Sequence, residues 1–466
     1  MVANLIEPDH DVDVASLPLA PKNPLPYLQR MRQARIFHTG LEALRDAGGP
    51  VTRLVFGPKW LLPPLVVVTS PKGIRDVLGR SDALVERNKI HAEMLKLLGG
   101  SLFSVTHEQW LPRRRALQPL FTKHRVRAFG ADMSQAAETI AGSWKPDEVI
   151  DLDVQCRRLT LRALGRSVLG IDLDERAEAI AEPLEIVLKY ISDRALAPAR
   201  APRWLPTARQ RRARAAAATL HQLANEVLQA CRADPTRNAP LVHALIAAVD
   251  PTTGQQLSDE EICNELITFM GAGHDTTATA LTFTLWALGR HPDVQDRVAA
   301  EIAEIGDREL TPEDVPRLKY TISVLHEALR LCPPGATIGR LAMQDIEVDG
   351  YRVEAGSMLM VGVYAVQRDP SLWDHPVVFD PDRFNTANSK GRDRWQYLPF
   401  GAGPRSCIGD HFAMLEATLA LATIIRRREI RSLKEDFPMA TPFTTVAAQP
   451  IPVRVRTRDH HRDSAC

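Results

Sequence analysis

From Ser258 to Arg290 apolar residues recur at helical spacing, and Ser258-Asp-Glu-Glu261 ahead of them is a capping box, with Glu261 three residues past the cap. The run stops at His291-Pro292. That predicts one helix of about 30 residues and ~45 Å, enough to cross a whole domain. Thr311-Pro312 predicts the start of another helix, and Tyr320 to Leu331 a third, closed by Pro333-Pro334. The period then changes to two. Ile346 to Val348 and Tyr351 to Val353 flank Asp349-Gly350 as a two-residue hairpin, with Ser357 to Val363 a further strand and a shorter pattern over Val66 to Thr69. A last helical run covers Asp410 to Arg426. The pattern is mainly α with a small β region.

Residues 1–26 are acidic and then rich in proline, which predicts a flexible N-terminal arm, and residues 454–466 form a polar tail expected to fray. Between them no Gly/Ser linker, low-complexity tract or internal repeat divides the chain, so 27–453 is expected to be a single large domain. The 466 residues by themselves allow one to three domains.

Charge removes whole classes of function. Lys plus Arg number 58 and Asp plus Glu 57, a net charge of +1, so no global field draws the chain to nucleic acid. The six cysteines (Cys156, Cys231, Cys263, Cys332, Cys407, Cys466) include no CxxC pair, which excludes a zinc knuckle, a dithiol redox motif and a disulfide scaffold. The acidic start is unlike a secretory signal, and no window reaches the ~18 apolar residues of a membrane span. A cytoplasmic protein without a transmembrane anchor is the expectation.

One cysteine stands apart. Phe400-Gly-Ala-Gly-Pro-Arg-Ser-Cys-Ile-Gly409 places Cys407 in a glycine-rich loop just ahead of a helix. A thiolate there is expected to be favoured by the helix N-terminus and by backbone N–H groups, while Gly401, Gly403 and Gly409 let something flat and bulky approach. A single soft thiolate with the opposite face open suits an iron porphyrin. The other five cysteines read as ordinary buried thiols.

The loop resembles the FxxGxRxCxG haem-ligand signature of the cytochrome P450 superfamily, and four more motifs follow that family's order. Ala272-Gly-His-Asp-Thr-Thr277, on the long helix, is similar to its oxygen-binding segment. Ala272 and Thr276 share a face, and Gly273 removes a side chain where the helix is expected to graze the porphyrin. The resemblance implies that Thr276 and Asp275 manage the proton supply to dioxygen; His274 reads as a solvated or core histidine. Glu327 and Arg330 match the ExxR pair, and Pro381-Asp-Arg-Phe384 the PERF segment with Asp382 in place of Glu, implying a buried network of Glu327, Arg330 and Arg383. Trp110 and Arg114 match the WxxxR pattern. With Arg340, Arg405, Phe400, Ala272 and Gly273 they are implied to hold the haem, whose iron Cys407 ligates; Arg113 and Arg115 are expected to be a solvated basic face.

The resemblance implies a single domain with haem b (iron protoporphyrin IX) between the long helix and the cysteine loop. It implies a monooxygenase that takes O2 and electrons from a separate ferredoxin or flavodoxin plus reductase, and oxidises a lipophilic molecule such as a fatty acid, terpene, steroid or polyketide. The alternatives are a peroxide-driven haem-thiolate enzyme and a non-catalytic haem sensor or carrier. By family position the pocket is lined near Leu84 to Phe103, Ile186 to Tyr190, Phe269, Ala272, Ala336 to Ile338 and Phe443-Thr444. A Pro/Arg-rich stretch from Arg194 to Arg214, including Arg209, Arg211 and Arg212, falls in the lid of the substrate channel and is expected to be a solvated basic loop.

Overall fold

The capping box at Ser258 forms. Its hydroxyl accepts the Glu261 N–H while the Glu261 carboxylate accepts the Ser258 N–H, and the helix runs Asp259–Arg290, 32 residues. The computed structural model describes residues 13–60, 62–79, 84–170, 177–196, 205 and 207–458. Within them this central helix is packed by Leu152–Leu164, Ala208–Ala233, Lys319–Leu331 and Asp410–Arg427. Leu266, Met270, Leu281 and Leu285 are buried on it, and so are Thr282 and Thr284, whose hydroxyls donate to carbonyls one turn back. A helix apolar on all sides belongs in a core, and this one is its axis.

The β region is a five-stranded sheet in the order Val51–Leu54, Leu65–Val68, Met358–Gly362, Thr337–Ala342, Val85–Arg87, with one parallel pair between the second and third. The hairpin Ile346–Val348 and Tyr351–Val353 pairs as expected, and Asp349 and Gly350 both take positive φ, 51° and 82°, as a type I′ turn demands. Among the described residues no helix is long and apolar enough to cross a membrane.

Three expectations change. The helix from Thr311-Pro312 is only a short turn, Val315–Arg317. Asp314 there accepts from the Thr311 N–H and hydroxyl, closing the chain on itself, and Pro316 cannot continue an α-helix begun at Pro312. The polar tail is in its first residues a strand, Pro452–Thr457, between Val149–Asp151 and Arg428–Ser432, because Val453 and Val455 alternate inwards. Residues 13–26 are docked rather than flexible: Leu19 and Lys22 bridge to Arg352 and Arg53, and Asn23 is buried. Residues 1–12 and 459–466 lie outside the described residues.

Candidate active site

The cysteine loop is built from the chain that surrounds it. Gly401 and Gly403 take φ of 68° and 73°, and a Cβ on Gly403 would sit 1.8 Å from the Leu78 carbonyl oxygen, so the loop packs on the sheet region only with glycine there. The Cys407 N–H donates to the Phe400 carbonyl at 2.8 Å and closes the loop, and the helix Asp410–Arg427 follows. Upstream, Glu327 and Arg330 are fully buried and paired at 2.7 and 2.8 Å, and Arg383 lies 3.4 Å from Glu327. Arg330 also donates to the carbonyls of Gln367, Pro376 and Val378. The Gln367 side chain relays this anchor to the loop by accepting the Leu398 N–H at 2.8 Å.

Cys407 is exposed while its neighbours in the loop are partly buried. The protein packed around it nevertheless pushes the thiol up to about 11; only the Gly409 N–H and Arg114 pull the other way. The Gly409 N–H and Arg114 thus favour the thiolate expected there, while burial and the nearby Asp410 charge oppose it.

On the central helix the buried surface is interrupted from Gly271 to Thr276, and Ala272 is exposed at mid-helix. The Thr276 hydroxyl donates to the Ala272 carbonyl at 2.6 Å. A Cβ on Gly273 would meet Leu164 Cδ1 at 3.1 Å, so its lack of a side chain also lets the flanking helix Leu152–Leu164 pack closely. Asp275 is 2.5 Å from Arg157 on that same helix, and Arg157 is shared with Asp153 at 2.7 Å. His274 is a core residue, 3.1 Å from the Thr160 hydroxyl, and burial lowers it to about 4.

The arginines expected to hold the haem gather at one edge. Arg114 donates to the Ser406 carbonyl at 3.2 Å, and Arg405 lies 4.3 Å over the Trp110 ring and 3.5 Å from Glu86. Arg340 is buried in its strand, directly across from Arg87. Like charges facing each other across a ladder are unfavourable; here Arg87 also donates to the Phe103 carbonyl and Arg340 to that of Gly339. His91, half-buried near them, is held well below its ordinary value by desolvation and then by Arg87, Arg340 and Arg405. A free cysteine surface, a bare alanine at mid-helix and clustered cations suit a flat iron-bearing group with carboxylate arms.

The family profile described as cytochrome P450 matches residues 18–456. This chain belongs to the cytochrome P450 family. It is similar to cyclooctat-9-en-7-ol 5-monooxygenase of Streptomyces melanosporofaciens, 34% identical over 78% of this chain and 79% of that one. It is also similar to cyclooctatin synthase of the same organism, 33% identical over 87% and 88%. The haem domain of cytochrome P450DA superposes with a TM-score of 0.82 at 25% identity, over 96% of this chain and 98% of that one. As a P450 the chain is a monooxygenase, an oxidoreductase.

Two arginines of this P450 overturn the expectation of a solvated basic face. Arg113 is buried, 2.5 Å from Glu261 and 3.2 Å from Glu265, and Arg115 makes a two-pronged pair with Asp250 at 2.8 Å. Arg87, His91, Arg157 and Gln367 escaped sequence reasoning because none lies in a spaced motif. Part of the Arg-rich lid stretch (197–204 and 206) lies outside the described residues; Arg209, Arg211 and Arg212 are exposed on the first turn of Ala208–Ala233, where Arg212 reaches Glu182 at 3.2 Å.

Proposed function

We propose that this P450 inserts one oxygen atom of O2 into a terpene-type molecule, with Cys407 as the thiolate ligand of haem b and a separate ferredoxin or flavodoxin, with its reductase, as electron donor. Arg114, Arg340 and Arg405 with Trp110 hold the cofactor, joined by Arg87 and His91. The observation that carries the reading is Cys407, exposed within an otherwise packed loop, together with the cross-strand pair of Arg87 and Arg340. When bound, the haem supplies oxygen activation, which a thiolate ligand promotes.

The chain's own part is binding and proton supply. Phe103, Phe443, Ile338 and Ala272 present apolar surface, which selects ligands by shape and lipophilicity. Leu184 of the helix Ala177–Leu196 packs over Gly271, beside Ala272, and roofs the same space. The Thr276 hydroxyl, on the open face, offers a proton donor and acceptor, and Asp275 one residue away is paired with Arg157. Pentalenene oxygenase of Streptomyces avermitilis, 29% identical over 85% of this chain, adds a third relative whose name points to a terpene.

The test supplies electrons through a surrogate ferredoxin and its reductase and offers cyclic terpenes and terpene alcohols. Terpene-dependent NADPH oxidation with an oxygenated product supports the reading. Turnover with peroxide alone, or ligand binding without turnover, contradicts it.

A further inference from the structure

Glu265 is the buried acid that the proposed chemistry leaves unused. It lies seven residues before Ala272, two turns along the same side of the central helix, and has no exposed surface. One carboxyl oxygen accepts the Leu102 N–H at 2.7 Å and a bond from Arg113 at 3.2 Å, while the other is buried with no hydrogen-bond partner. Leu102 belongs to a tight loop, 99–105, pressed against this helix: a Cβ on Gly99 would meet the Asn264 amide at 2.4 Å, and Arg113 donates to the Gly100 carbonyl at 2.6 Å. The next residue, Phe103, is 37% exposed, with its ring 4.9 Å from His91 and 6.3 Å from Phe443. It forms part of the wall that the proposed function assigns to the substrate pocket.

We propose that Glu265 is a positioning residue for that pocket, a strap that keeps Leu102 and Phe103 seated while its carboxyl carries a proton and lets this wall open when the carboxyl ionises. The inference rests on the proposed function only for what the wall encloses.

The sign follows from burial. Closing the loop takes the carboxyl out of water and leaves one oxygen bare, which disfavours the charged form; opening the loop returns water to it. The closed state thus binds the proton more tightly than the open one. The opening equilibrium therefore rises with pH between the ordinary glutamate value and the closed-state value. The charged groups facing Glu265 are Arg113, which pulls it down, and Glu261 on its own helix, which pushes it up; Leu102 faces it from the loop with a neutral N–H. Burial outweighs Arg113 and pushes the carboxyl up to about 7.

The experiment is hydrogen exchange of the segment 99–105 in the full-length holoprotein from pH 5 to 8, corrected for the intrinsic pH dependence of exchange. The wild-type opening equilibrium is expected to rise about tenfold or more and to level off above about pH 7. Glu265→Gln, with no proton to lose, should be flat across the range. Arg113→Gln should move the levelling point to higher pH while Arg113→Lys leaves it in place, and this pair carries the test if Glu265→Gln does not fold. A flat wild-type profile, a Glu265→Gln profile that still rises, or no difference between the two Arg113 variants overturns the proposal. Exchange requires no turnover, and the carbon monoxide spectrum of the same preparations shows separately whether the haem reading holds.

Discussion

Glu327→Ala removes the carboxylate at the centre of the anchor behind the cysteine loop. Both Glu327 and Arg330 are fully buried, so solvent does not screen their pairing. The variant leaves the Arg330 guanidinium with three backbone acceptors but no counter-charge, removes the charge beside Arg383, and orphans the Asp380 N–H, which donates to Glu327 at 2.9 Å. Breaking a buried pair on one side costs about 3–5 kcal/mol. The unfolding entropy of a chain this long is ~1 kcal/mol per kelvin, so the melting midpoint should fall by about 3–5 °C. Calorimetry of the variant reads the shift. A double-mutant cycle with Glu327→Leu and Arg330→Met reads the coupling, because replacing both partners with apolar groups should cost less than the two single changes together. Because Gln367 relays the anchor to Leu398, the single variant should also lose haem faster to a haem acceptor. A midpoint shift below about 1 °C, or a strictly additive cycle, would refute the reasoning.

Gly403→Ala should abolish haem retention, since a positive φ costs a side chain about 1–2 kcal/mol and the added Cβ would also strike the Leu78 carbonyl; a normally loaded variant contradicts this placement of the loop. Thr276→Ala should divert reducing equivalents to peroxide, and Arg157→Gln should do so less strongly by releasing Asp275, both read as peroxide formed per NADPH; unchanged coupling in both removes these residues from the proton supply. Burial, reinforced by Arg392, lowers His326 to about 4 against about 6.5 in the unfolded chain. The unfolded chain takes up that proton first, so stability should be lost as pH falls from about 6.5 towards 4, and His326→Gln should flatten the fall in melting midpoint between pH 7 and 5.

Short-range chemistry was legible from the sequence. The capping box at Ser258, the Asp349-Gly350 turn and the glycine-rich cysteine loop each depend on residues a few positions apart, and each formed. Partners distant along the chain were not legible. Arg113 and Arg115 read as solvated because Glu261, Glu265 and Asp250 meet them only after folding brings distant segments together. Arg87 carries no motif, and its place opposite Arg340 is fixed by the register of two strands some 250 residues apart. The strand at Pro452–Thr457 was hidden by its arginines, which occupy the outward half of an alternating pattern.

The central claim is that Cys407 ligates a haem iron. Its most direct test is the spectrum of the reduced protein under carbon monoxide, for wild type and Cys407→Ser. The wild type should give the thiolate-type band and the variant should lose it while the fold is retained. A variant that keeps the band, or a haem-loaded wild type that never shows it, contradicts the claim.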